Sequence, residues 1–249
     1  MRNRSAIILA AGKGSRINSA LPKVLHTVGG VPMIVRVIQS AYGAGISNIV
    51  VVVGHKAQDV RAAVMRHLPN IEVKWALQTE QKGTAHAVRC AEYALSSFEG
   101  YVWILSGDVP LLSSDLIRDI DSAQPDADLV VTGIELAEPG SYGRLIRSAN
   151  GDLIAIREYA DCTLGEAEIR EVNAGLYRVN SAVLFEGLRT IRSDNAQSEY
   201  YLTDLVSYAT LHQIPVACEI VRERAHELSG VNTVEDLERA NALTLSSGT

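Results

Sequence analysis

The sequence predicts an α/β fold: a mostly parallel, twisted sheet with helices on both faces, plus an antiparallel β appendage in the second half. Three observations predict it. Short apolar runs recur through the first half and stop at glycine or serine, as strands buried on both faces of a parallel sheet do. Stretches of helical periodicity, about 10–15 residues long, separate them. In the second half the pattern becomes less regular, with a hairpin signal at Asn150-Gly151.

The elements follow in order. Residues 5–11 form the first apolar run, ended by Gly12. Val31, Ile34, Val35, Ile38 and Ala41 recur at helical spacing, with Pro32 at the first turn and Gly45 as the stop. Residues 48–53 are a second run, ended by Gly54. Val60, Ala63, Val64 and Leu68 predict a helix closed by Pro69, and 72–77 alternate as a strand nearer the edge does. Ala87, Val88, Ala91, Ala94 and Leu95 predict one further helix. Residues 101–105 are the third buried run, and Ser113 caps a helix reaching about Ala123. Beyond it, strands are expected over 129–136, 144–147, 153–157, 172–179 and 216–221, and helices over 183–191, 201–212 and 234–245. No repeat or Pro/Ser-rich linker divides the chain, so 1–249 is expected to form a single domain.

Composition narrows the function classes. A chain of 249 residues with 47% hydrophobic and 21% charged residues has an ordinary globular make-up. Its apolar runs fall far short of the roughly 18 residues that span a bilayer. The stretch 6–11 is too short for a signal-peptide core, so a cytoplasmic protein without membrane contact is expected. The net charge of −6 argues against a nucleic-acid partner, which usually requires a basic footprint. Cys90, Cys162 and Cys218 have no metal or redox spacing and read as free thiols.

Three segments carry the candidate chemistry. The first runs from Leu9, Ala10 and Gly12 through Gly14 and Arg16 to Lys23. A buried strand ends there in a glycine-rich loop with several cations, suited to phosphate because glycine lets backbone N–H groups approach oxygen. The spacing is not that of a P-loop, and Ile17 stands where the dinucleotide fingerprint needs its third small residue. The second segment is Ser106-Gly107-Asp108, placing a carboxylate just past a central strand, where it could hold Mg²⁺ beside a phosphate. The third runs from Gln78 through Gly83 and Thr84 to His86. The Gln78 amide, both donor and acceptor, suits a base edge. Gly83 and Thr84 are expected to admit close backbone approach and then cap the next helix, and His86 reads as a packed or partly exposed histidine. Each segment alone is also explained by an ordinary turn or helix start.

Taken together, LAAGKGSR with LPKVLH, QTEQKGTAHA, SGDVPLL, YGR, EVNAG, EYYLTD and GVN, in that order, resemble the sugar-nucleotide pyrophosphorylases. The resemblance covers residues from about 6 to about 241. It is best to members that join UTP to N-acetylglucosamine 1-phosphate, and it implies a Rossmann-like nucleotide-diphospho-sugar transferase fold. It further implies that Leu9, Ala10, Gly12, Gly14, Gln78, Gly83 and Thr84 bind the nucleotide. Arg16 and Lys23 would hold the triphosphate, and Asp108 and Asn232 the Mg²⁺ ion. Gly143, Glu158, Asn173 and Tyr201 would hold the sugar phosphate.

The implied reaction needs cations against the triphosphate and no covalent intermediate. The rival expectations are another NTP or sugar phosphate, such as glucose 1-phosphate, and a non-catalytic sugar-nucleotide-binding module. The bifunctional relatives carry a hexapeptide-repeat β-helix that the sequence lacks, so no acetyl transfer and a monomer or weak homo-oligomer are expected.

Overall fold

A computed structural model describes residues 3–12, 14, 17 and 19–246. The first half alternates strands and helices: β1 (Arg4–Ala10), the two-residue strands β2 (Thr27–Val28) and β3 (Val31–Pro32), α1 (Met33–Gly43), β4 (Asn48–Val53), α2 (Ala57–His67), β5 (Val73–Leu77), α3 (Thr84–Cys90), β6 (Tyr101–Ser106) and α4 (Ser114–Ala123). The second half adds β7 (Leu129–Glu135), β8 (Arg144–Arg147), β9 (Leu153–Arg157), α5 (Leu164–Ala167), β10 (Glu171–Asn180), α6 (Ser181–Thr190), α7 (Asp204–Leu211), β11 (Val216–Ile220) and α8 (Val234–Ser246).

The main path of the sheet is β11-β7-β10-β6-β1-β4-β5. β6, β1, β4 and β5 run parallel, as the continuous apolar composition of β6, β1 and β4 predicts. β5, the alternating strand, is the edge. β10 enters antiparallel to both β6 and β7, and β11 is parallel to β7. The β8–β9 hairpin is the expected antiparallel appendage; it pairs with β10 through a single register position, Val172 opposite Arg144.

Both faces of the sheet are covered. Ala6 and Ile8 of β1 face a core shared with α1, α2 and α4, whereas Ile7 faces one shared with α3, α6 and α7. Period-two alternation thus divides one strand between two apolar cores. Val50 to Val53 of β4 are fully buried, each contributing ~1.5–3 kcal/mol.

Ser113 caps α4, its hydroxyl accepting from the Leu116 amide at 3.1 Å. The helix expected over 87–95 is divided: α3 ends at Cys90, and a 3₁₀ turn covers Glu92–Leu95. Pro32 lies in β3 and not inside α1, because the short hairpin of β2 and β3 turns at Gly29-Gly30, both with φ positive. Thr163 and Glu166 form a capping box on α5 that the sequence pattern did not reveal. Among the described residues no helix is long and apolar enough to cross a membrane.

Candidate functional site

Strand order reverses at β1, with β4 on one side and β6 on the other. Loops leaving the carboxyl ends of such neighbours part in opposite directions and open a crevice. A cavity of ≈ 390 Å³ lies there. Leu9, Ala10, Gly12, Gly14, Gln78, Gly83 and Thr84 all line it, with Lys23, Asp108 and Asn232. Arg16 lies outside the described residues. Gln81, Ser106 and Glu199 also line the cavity and had no individual expectation.

The polar centre gathers from three distant segments. The Lys23 ammonium is ion-paired with Asp108 and donates to Asn232 Oδ1 at 2.8 Å. Each partner is fixed by its own backbone. Lys23 opens a 3₁₀ turn whose next two residues, Val24 and Leu25, are buried. The Asp108 carbonyl accepts from the Val231 amide at 2.9 Å, joining the rim of β6 to the start of α8. Asp236 accepts from the Asn232 and Thr233 amides at 2.9 and 3.0 Å, which holds Asn232 at that helix start. Gly14 has φ +63°, and a Cβ there would overlap the Lys23 side chain. The glycine therefore lets the loop lie directly over the cation.

Gly83 is the N-cap of α3, so the expectation that Thr84 caps the helix is corrected: its hydroxyl instead accepts from the Leu202 amide at 3.0 Å. The reason is local crowding. Gly83 has φ +103°, and a Cβ would meet the Tyr200 carbonyl oxygen at 2.6 Å and its nitrogen at 2.8 Å. The Ala85 amide donates to that same carbonyl at 2.9 Å, so the segment before α7 seals the entry to α3. Gln78 is buried, with Nε2 3.2 Å from the Gly83 carbonyl oxygen and 3.1 Å from His86 Nδ1.

The residues expected at the sugar end lie close together. The Gly143 carbonyl accepts from the Asn173 amide at 2.9 Å, and a Cβ on Gly143 would stand 3.5 Å from Glu158 Oε2. Thr203, to which no role was assigned, donates to Glu158 Oε1 at 3.1 Å. Glu158 and Tyr201 share a second cavity of ≈ 270 Å³ with Asp161, Asp204 and Arg157. The Asn173 amide donates to the Tyr177 hydroxyl at 2.6 Å, and its oxygen accepts from the Gly175 amide at 3.0 Å.

The electrostatics there are unusual. Burial pushes the Glu158 carboxyl above the ordinary range; Thr203 opposes this, and the Asp204, Asp161 and Glu199 carboxylates add to it. Burial likewise raises Asp204 and takes the Tyr201 hydroxyl up to about 12. Tyr201 Oη and Asp161 Oδ2 are both buried there, and Asp161 adds to the rise at Tyr201. Arg144, next to Gly143, has a structural place: its buried guanidinium holds the carbonyls of Gly140, Tyr142 and Ala167.

The match to the MobA-like NTP transferase domain family spans residues 6–163. Proteins named bifunctional protein GlmU are similar across nearly all of this chain. The one from Anaeromyxobacter sp. (strain Fw109-5) is 44% identical over 241 residues, 97% of this chain and 49% of that protein. The one from Pelobacter propionicus is 41% identical over 243 residues, 96% of this chain and 52% of that protein. The chain thus spans about half the length of these curated relatives. With more than half of its residues matched, the chain belongs to the MobA-like NTP transferase domain family and is a nucleotidyltransferase.

Proposed function

We propose that the chain joins UTP to N-acetylglucosamine 1-phosphate, forming UDP-N-acetylglucosamine and pyrophosphate with the help of Mg²⁺. The observation that carries this reading is the meeting of Lys23, Asp108 and Asn232 beside the glycine-lined crevice. The motif resemblance supplies the base and the sugar.

Asp108 and Asn232 suit a hard divalent ion. They offer a carboxylate and an amide oxygen, and an ammonium already lies against both, so the pair is turned toward positive charge. Among the described residues, no group of three or more His, Cys, Asp or Glu side chains could hold a metal. The other ligands would therefore be phosphate oxygens and water, which Mg²⁺ commonly keeps. When bound, the ion would neutralise charge on the reacting phosphates.

The reaction is an in-line displacement. A phosphate oxygen of the sugar 1-phosphate attacks the α-phosphorus of UTP. A new P–O bond forms as the bond to the bridging β-phosphate oxygen breaks, and pyrophosphate leaves with that electron pair. The nucleophile is already anionic and needs no general base. The protein's work is positioning and charge neutralisation. Lys23, with Arg16, would face the triphosphate together with the loop amides of Gly12 and Gly14. Gly143, Glu158, Asn173 and Tyr201 would hold the sugar phosphate, with Glu158 accepting from sugar hydroxyls.

The test is pyrophosphate release from purified protein given Mg²⁺, each NTP in turn, and a panel of sugar 1-phosphates. Release with UTP and N-acetylglucosamine 1-phosphate is expected. Silence with every combination overturns the transfer reading. Release with glucose 1-phosphate alone overturns the sugar assignment and leaves nucleotidyl transfer standing.

A further inference from the structure

We infer that His86 is a positioning residue for base selection: it locks the Gln78 amide so that only its oxygen is offered to the nucleotide base. The inference rests on the proposed nucleotide site and adds to it the residue that sets what the site reads.

The argument begins at the backbone. The Gln78 amide nitrogen donates to the Val53 carbonyl at 2.8 Å, which fixes the residue at the end of β5 and leaves the side-chain amide as the free choice. One end of that amide lies 3.2 Å from the Gly83 carbonyl oxygen. A carbonyl oxygen only accepts, so this end is the NH₂ group. The same nitrogen lies 3.1 Å from His86 Nδ1. For an NH₂ group to hydrogen-bond a ring nitrogen, that nitrogen must accept, which calls for the His86 tautomer with its proton on Nε2. Both amide hydrogens are then committed.

What remains is the oxygen. No hydrogen bond from another described residue reaches Gln78 Oε1, and it is not among the buried orphan atoms, while Gln78 lines the cavity. Gln78 therefore presents an acceptor and no donor. Set against position 3 of a pyrimidine, an acceptor meets the N3–H of uracil but the lone pair of cytosine. If the amide were turned over, its oxygen would oppose the Gly83 carbonyl and its NH₂ would suit cytosine. Gly83 and His86 together oppose that turn, and His86 is the side-chain half of the lock.

His86 does not line the cavity. Its ring packs against Tyr200, with centroids 6.5 Å apart, from the segment that also closes over Gly83. It acts through Gln78 and touches neither substrate.

The experiment compares kcat/KM for UTP and CTP in wild type, His86→Ala and His86→Asn, with saturating N-acetylglucosamine 1-phosphate. The Asn side-chain oxygen can accept where Nδ1 did. Expected is a UTP preference in wild type that falls about fivefold in His86→Ala, the worth of one neutral hydrogen bond. The change should lie in KM for UTP, with KM for the sugar phosphate unmoved, and His86→Asn should restore the preference. An unchanged UTP/CTP ratio in a folded His86→Ala protein, or a wild type preferring CTP, overturns the inference and leaves nucleotidyl transfer intact. Absence of turnover with any NTP removes the proposed function and this inference with it. A second measurement needs no variant kinetics: ¹⁵N NMR of the histidine rings, assigned with His86→Asn. A proton on Nε2 is expected, and one on Nδ1 overturns the lock.

Discussion

At the proposed nucleotide end of the site the residues stand at or just past the carboxyl ends of strands in the parallel half: Leu9 and Ala10 end β1, with Gly12 and Gly14 beyond it, Gln78 follows β5, and Asp108 lies just past β6. At the proposed sugar end they stand on the β7–β8, β9–α5 and α6–α7 connections and on β10, the strand that enters antiparallel. The charge environments differ as well. Asp108 faces an ammonium, whereas Glu158 faces Asp161, Asp204 and Glu199. The contrast teaches a division of labour. A polyanionic triphosphate calls for fixed positive charge on a rigid rim. A sugar calls for hydrogen-bonding groups held out of water, and burying carboxyl groups to supply them opposes folding.

The largest expected effect tests the charged end. Asp108→Ala should lower turnover by about 10²–10³, the scale of losing one preorganised electrostatic contact. Its thermal midpoint should barely move, because the Asp108 side chain is partly exposed and Lys23 keeps its bond to Asn232. Normal pyrophosphate release from this variant would remove the charge asymmetry between the ends. The next effect tests whether the ends are mechanically separate. Gly83→Ala would drive a Cβ into the Tyr200 backbone from a left-handed φ, at a cost of roughly 1–3 kcal/mol read from denaturant unfolding. Tyr200 is flanked by Glu199 of the first cavity and Tyr201 of the second, so KM should rise for both substrates. A rise confined to UTP would show that this contact does not join them.

The same contrast explains what the sequence made legible. Strands buried on both faces announce themselves as unbroken apolar runs, and the loops after them inherit a predictable place on the carboxyl rim. Gln78, Asp108 and the Gly12–Gly14 loop could therefore be placed from pattern alone. The sugar end lacked that guide. The insertion of β10 between β6 and β7 depends on pairing across long sequence separations, which no local period encodes. Thr203 and Glu199 sat in a recognised segment with no signal of which side chains turn inward. Thr84 read as a cap because threonine favours that position, and the Tyr200 contact at Gly83 took the cap elsewhere. His86 looked like an incidental histidine because its partner, Gln78, lies eight positions back on a different element.

The smallest effect probes the cost of the buried carboxyl group. Burial holds Glu158 above the ordinary carboxylate range in the folded chain. The folded state then keeps its proton where the unfolded state has released it, so stability falls as pH rises from the unfolded value through the folded one, and the loss persists above both. Glu158→Gln cannot ionise, and its amide oxygen still accepts from Thr203. Thermal midpoints of the two proteins should lie close together in acid and separate with rising pH, with the variant the more stable near neutrality. Asp161, Asp204 and Glu199 remain in both proteins, so their own titration largely cancels in the difference. KM for the sugar phosphate should rise in the same variant, since a donor NH₂ replaces one acceptor oxygen. A stability difference that stays flat with pH would mean that Glu158 folds without an electrostatic penalty, and the two ends of the site would then differ in geometry alone.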